Sequence, residues 1–176
     1  MFNTISAPVT TSTYASADIK QDPFTTRFGN GHRLPRGMRD EAAGMAWPLF
    51  IATYAPAADI RISHMEASRG RGGQQHYTAE MIHTSKTEQP ITSTHDITAM
   101  GPTSAASHLL ADAGRHVEIM AFHQTELYEA TITFVKVAHQ NNENRTAWAM
   151  GFGATNEASI AAALASQAQA GEDFLM

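Results

Sequence analysis

The sequence predicts an α+β fold of two pseudo-symmetric β-β-β-α units, antiparallel sheets carrying helices on one face. Three observations predict it. Stretches in which apolar residues alternate with period two are followed by stretches with helical spacing, and this order occurs twice. Ala99-Met100-Gly101 recurs as Ala149-Met150-Gly151 fifty positions on, and Ala106-Ser107 recurs as Ala158-Ser159 fifty-two on, the mark of an internal repeat with two residues added in the second turn. At 176 residues and 43 % hydrophobic content the chain has one domain's worth of core.

Composition narrows the classes of function. A net charge of −5 and a pI near 5.9 argue against a nucleic-acid or anionic-membrane partner, which would need a clustered basic face. Zero cysteines exclude a disulfide framework and thiolate metal ligands. No apolar run reaches the roughly 20 residues of a membrane span, and the opening MFNTISAPVTTSTYASADIK has neither a basic n-region nor an apolar h-region. The expectation is a soluble, cytoplasmic protein.

Residues 1–27, rich in Thr, Ser and Ala, read as a flexible arm, or as one that orders on a partner subunit. Residues 28–56 read as a basic linker and a short helical segment. Arg27, Arg33, Arg36 and Arg39 interleave there with Gly29, Gly31, Pro35 and Gly37, either a solvated linker or a holder of phosphate or carboxylate. From Asp40 to Tyr54 the spacing predicts one helix or two short ones, with Met45, Leu49, Phe50 and Tyr54 on one side and Pro48 near a first turn.

The domain proper is expected over 57–170, unit one 57–114 and unit two 115–170, followed by the tail 171–176. In Ile60–Ala67 the pattern sets Ile60, Ile62 and His64 against Arg61, Ser63 and Met65. Arg69–Gly73, RGRGG, reads as a hairpin turn rather than an RNA-binding box. A second strand puts Tyr77, Ala79 and Met81 on one face, and a third runs Ile91–Ala99 with Ile91, Ser93, His95 and Ile97 in register. A helix opens at Pro102 or Thr103, buries Ala106, Leu109, Leu110 and Ala113, and stops at Gly114. Unit two is read as strands Val117–His123, Tyr128–His139 and Thr146–Phe152, then a helix Asn156–Ala170 with Ile160, Leu164 and Ala168 one turn apart, ended by Gly171. Apolar surface left on strands and helix backs predicts a homodimer.

The Gly101-Pro102 helix entry, the helix end Leu110-Ala111-Asp112-Ala113-Gly114 and the turn Trp148-x-x-Gly151 before Ala158-Ser159 resemble the C-terminal regulatory domain of the α-isopropylmalate synthase family. That family also holds homocitrate and citramalate synthases. The resemblance runs from about Met45 to Ala170, and Trp47–Pro56 is similar to the helical segment leading into that domain. It implies a dimerising allosteric module that binds an end-product amino acid, leucine in the type case, between its units. Carried over by position, the ligand site would comprise Gly101, Pro102, Thr103, Ser104 and Ala105 at the helix start with Phe122, His123, Thr125 and Glu126 after the next strand. A helix start can hold a carboxylate, and Glu126, Thr125 or His123 could receive an ammonium.

Two departures stand out. Ala99-Met100-Gly101-Pro102 replaces the family's Gly-Asn-Gly-Pro, and several residues are lacking between Leu127 and Tyr128, which predicts a shortened loop. The family's condensation chemistry, a reaction of acetyl-CoA with a 2-oxo acid, needs a metal-binding barrel of about 250 residues with a His-x-His pair, and this sequence has neither. The expectation is a regulatory or dimerisation module without catalytic residues, metal or cofactor. Its effector would be a branched-chain amino acid and its partner a separate synthase or other enzyme subunit. The alternatives are an assembly subunit that has lost its ligand and an acyltransferase of the synthase class.

Other groups point less clearly to chemistry. His64, His76, His83 and His95 fall on neighbouring strands, where a cross-sheet metal site is conceivable but lacks carboxylates. His108 and His116 read as surface groups, and Ser104 and Ser107 near His108 as a helix start without a nucleophile elbow. Met100, Met120 and Met150 read as core fillers.

Overall fold

The computed structural model describes residues 21–29, 31–139 and 142–173. Three short helices come first: α1 (Pro23–Phe28), α2 (Arg36–Ala42) and α3 (Trp47–Tyr54). Then β1 (Ile60–Arg69), β2 (Gln75–His83) and β3 (Ile91–Ala99) form one antiparallel sheet in that order, followed by α4 (Pro102–Asp112). A second antiparallel sheet, β4 (Glu118–Leu127), β5 (Ala130–His139) and β6 (Asn142–Gly153), is followed by α5 (Asn156–Asp173). The α+β class and the twice-repeated β-β-β-α order are thus as the sequence predicts.

A bulge marks the first strand of each unit. Ser63 has no partner between the pairs Ile62↔Met81 and His64↔Glu80, and Met120 has none between Ile119↔Val137 and Ala121↔Lys136. One extra residue reverses every later side chain. Ile60 and Ile62 are therefore buried as expected, while His64 turns to solvent and Met65 packs on the core in its place.

The main core joins both units. Ile60, Ile62, Ala79 and Met81 of the first sheet meet Val135, Val137 and Ala149 of the second through Leu109 and Leu110 of α4 and Ile160 and Leu164 of α5. Helix α5 rides on β5 and β6 and also touches β1, and α4 lies against α5 and β3. Gly151 and Gly153 allow this approach: a Cβ on either would come closer than 3.0 Å to the backbone of α5. The letters of the sequence repeat are therefore offset from the structural one. Ala99 ends β3, whereas Ala149-Met150-Gly151 lies inside β6, which continues to Gly153. The second copy's added residues lengthen the strand, not the turn.

The outer faces of the two sheets differ. On the first sheet it is polar and solvated, with Thr78 Oγ1 donating to Asp96 Oδ1 at 2.7 Å and His76 Nε2 lying 3.6 Å from the same oxygen. On the second it is apolar, and Ile132, Phe134, Trp148 and Met150 pack beneath Phe24, Leu34, Met38, Phe50 and Tyr54 of the first three helices. Burial of such side chains contributes about 1.5–3 kcal/mol each, enough to hold the short helices, which propensity alone would not.

Residues 22–27, read as part of a flexible arm, are therefore structure. Asp22 caps α1 by accepting from the Thr25 amide at 2.8 Å, and Phe24 is fully buried, edge-on to Phe134 with ring centroids 5.7 Å apart. Residues 1–20 of that arm lie outside the described residues. The basic linker is likewise folded: Arg27 stacks on Trp47, its guanidinium carbon 4.7 Å from the ring centre. Pro48 sits in the first turn of α3 as its chemistry requires, but Leu49 is 56 % exposed and not on the buried side.

Of the three methionines read as core fillers only Met150 is buried; Met100 and Met120 are 69 % and 55 % exposed. Met100 lies beyond the end of β3, and Met120 is the unpaired bulge residue. Gly114, at φ +81°, ends α4 as expected. Gly171 does not end α5, which runs on to Asp173.

Candidate functional site

Among the described residues strand β4 pairs only with β5, and its alternation decides which groups can meet. Beyond the bulge Ala121 and Leu127 pack toward the N-terminal helices. His123 faces the same way, its ring 6.3 Å from that of Trp148. Gln124 faces α5. Its amide donates to Thr133 Oγ1 at 2.9 Å, to Ser159 Oγ at 3.1 Å and to the Asn156 carbonyl at 3.3 Å. Thr133 and Ser159, both fully buried, share a hydrogen bond of 2.7 Å, so this cluster satisfies itself and fastens α5 to the sheet.

On the face toward the N-terminal helices a cleft of about 270 Å³ opens between β4 and the segment 33–35. Leu34, Pro35 and Phe134 supply its apolar walls; Leu34 and Phe134 are 3 % and 1 % exposed. Arg33, His123 and Thr125 supply polar groups, and Gln124 completes the strand side although its amide is committed to the opposite face. Arg33 makes no ion pair among the described residues, and the Thr125 hydroxyl has only a 3.5 Å contact to the Glu126 carbonyl. A guanidinium with uncommitted donors, an imidazole and a hydroxyl beside a short apolar wall suit a small ligand with an anionic head.

Behind the cleft Trp148 is nearly buried, and its indole N–H finds no acceptor among the described residues. Such a donor costs about 1–3 kcal/mol. It abuts Gly37, where a Cβ would stand 3.3 Å from Nε1, so α2 is seated directly on the indole. Nearby, burial and then the Glu41 carboxylate push the Tyr54 phenol up to about 12. Burial and the charge of Glu157 raise Tyr77 as well.

The segment Ala121–Glu126, which holds the residues expected after the next strand, is itself part of β4, and three consecutive residues of it line the cleft. His123 and Thr125 come together there. Phe122 and Glu126 pair with Val135 and Thr131 and fall on the α5 side of β4, so Glu126 cannot act beside them. The other half of the expected site lies elsewhere. Gly101 caps α4 in an extended conformation at φ −179°, Pro102 opens the helix, Thr103 and Ser104 are half-buried, and Ala105 is buried against Tyr77 and Ala99. None of these five lines the cleft, whose remaining wall is Arg33, Leu34 and Pro35. The signal for that wall was the run of arginines from Arg27 to Arg39, in which sequence alone does not separate the cleft-facing Arg33 from Arg27 on its tryptophan. Phe134 gave no signal beyond an apolar strand.

No model of a known protein family matches the chain, and no curated protein sequence does. The resemblance to the synthase regulatory domain therefore rests on the residues quoted for it. The strand histidines remain dispersed. His64 pairs with Glu66 at 3.0 Å and His95 with Ser93 at 2.8 Å, and among the described residues no three metal-binding side chains gather. No described helix is long and apolar enough to cross a membrane.

Proposed function

We propose that this chain is a stand-alone regulatory module that binds a small, carboxylate-bearing effector of amino-acid size in the cleft between β4 and residues 33–35. The observation that carries the reading is the convergence of Arg33, His123 and Thr125, none of them engaged elsewhere by a strong bond, on a cleft whose strand side is the segment the synthase resemblance marks for the ligand. The module acts by binding and not by catalysis, and its location is cytoplasmic. One wall belongs to the N-terminal layer and the other to the sheet, so a bound effector ties the two together. Such a ligand biases one arrangement of the module or its partner enzyme, a coupling of typically about 1–3 kcal/mol.

Calorimetry at millimolar concentration with leucine, isoleucine, valine, lysine and the ammonium-free acid 4-methylpentanoate tests it. Heat with at least one of these, lost in Arg33→Gln, is the expected outcome. Silence across the whole set refutes the reading, and release of CoA from acetyl-CoA and a 2-oxo acid would refute the non-catalytic part.

An assembly role is favoured by a separate observation. Met120 at 55 % and Phe122 at 39 % exposure stand on β4, an edge strand among the described residues, apolar surface suited to a second copy of the chain. Light scattering should then report a dimer that Met120→Glu with Phe122→Glu converts to monomer.

A further inference from the structure

The charges around the cleft are one-sided. Arg33 is a fixed cation, and among the described residues lining the cleft none is acidic. The nearest carboxylate in sequence, Glu126, is directed to the α5 side by strand alternation, since its cross-strand neighbour Thr131 bonds to Asn156 at the start of that helix. A zwitterionic amino acid placed here finds a guanidinium for its carboxylate but no anionic group for its ammonium, only the Thr125 hydroxyl and the His123 imidazole. That ammonium would give up water without gaining a counter-charge and would sit near a like charge. Pro35 and the narrow edges of Leu34 and Phe134 leave room for no more than a short hydrocarbon tail, and the volume of about 270 Å³ lies below the usual span for drug-sized ligands.

We infer that the effector of this cleft is a short-chain monocarboxylic acid that lacks an α-ammonium, and that Arg33 selects it. The inference rests on the cleft being an effector site and names the chemical class it takes. The carboxylate pairs with the Arg33 fork, receives a hydrogen bond from the Thr125 hydroxyl, and leaves its tail against Phe134.

Three probes of one carbon skeleton separate the charges: leucine carries both groups, 4-methylpentanoate only the carboxylate, and isoamylamine only the ammonium. Titrated into the full chain, 4-methylpentanoate should bind at least about tenfold more tightly than leucine, and isoamylamine should not bind. Arg33→Gln, at an exposed side chain, should abolish acid binding with an unchanged thermal melt. Thr125→Asp should reverse the order by giving the ammonium its missing counter-charge. Leucine binding as tightly as the acid, or tighter, overturns the inference while leaving the effector reading intact. Failure of all carboxylates to bind overturns both, and acid binding that survives Arg33→Gln overturns the role given to Arg33.

Discussion

Tyr128 occupies the left-handed region at φ +54°, in the two-residue turn that joins Leu127 to Ala130. A left-handed L-residue costs about 1–2 kcal/mol, and such turns prefer Asn or Gly. Tyr128→Asn should therefore raise stability by about 0.5–1 kcal/mol in urea unfolding, against the small loss of its contact with His32, 6.2 Å between rings. The two glycines of the repeated tripeptide should respond oppositely to one substitution. Gly151→Ser drives a side chain into the backbone of α5 and should cost about 3 kcal/mol. Gly101→Ser meets open space at a helix cap and should change stability by less than about 0.5 kcal/mol. The tripeptide was legible as letters. What each glycine does was not, because one serves a helix cap and the other a helix–strand contact between residues distant in sequence.

Among elements, the N-terminal layer is held by tertiary contact and little else, and Phe24 is its hub. Phe24→Ala should cost about 3–5 kcal/mol and make the apolar face of the second sheet bind a hydrophobic dye. The layer also has an alkaline limit. Tyr54 holds its proton more tightly folded, at about 12, than in the unfolded chain near 10. Its contribution is present in full below pH 10 and is lost as pH rises from there toward 12. Stability measured across that interval should fall, and Tyr54→Phe should flatten the decline. Strand and helix identities in 57–170 were legible because the strands of the first sheet alternate, β5 is a short apolar run rich in β-branched residues, and each helix has an apolar stripe. The bulges at Ser63 and Met120 were not, since an extra residue leaves no mark in composition. Nor was the layer itself: short segments near Arg and Gly read as linker until the sheet they cover is known.

At the level of the whole molecule, the two units share one core and are also pinned where they begin. Arg115 Nη2 donates to Asp59 Oδ2 at 2.6 Å, and the Asp59 carbonyl accepts from the Thr84 amide at 2.7 Å, so the entry to unit two is clasped to the entry to unit one. A double-mutant cycle on Asp59 and Arg115 should give a coupling of about 1 kcal/mol, moderated by solvent because Asp59 is partly exposed. Of the residues that the resemblance marks, His123 and Thr125 share one side of β4 and line the cleft, but the sequence did not show that side, because the bulge at Met120 resets the alternation. The companion wall was not legible either, because residues 33–35 reach β4 only through the fold of the N-terminal layer.

The polar outer face of the first sheet has a practical use. Thr94 is exposed there, on a strand of the sheet that takes no part in the cleft, and the chain has no cysteine of its own. A Thr94→Cys variant would carry a single thiol, a handle for tethering the protein to a surface or attaching a dye while leaving the cleft between β4 and residues 33–35 untouched.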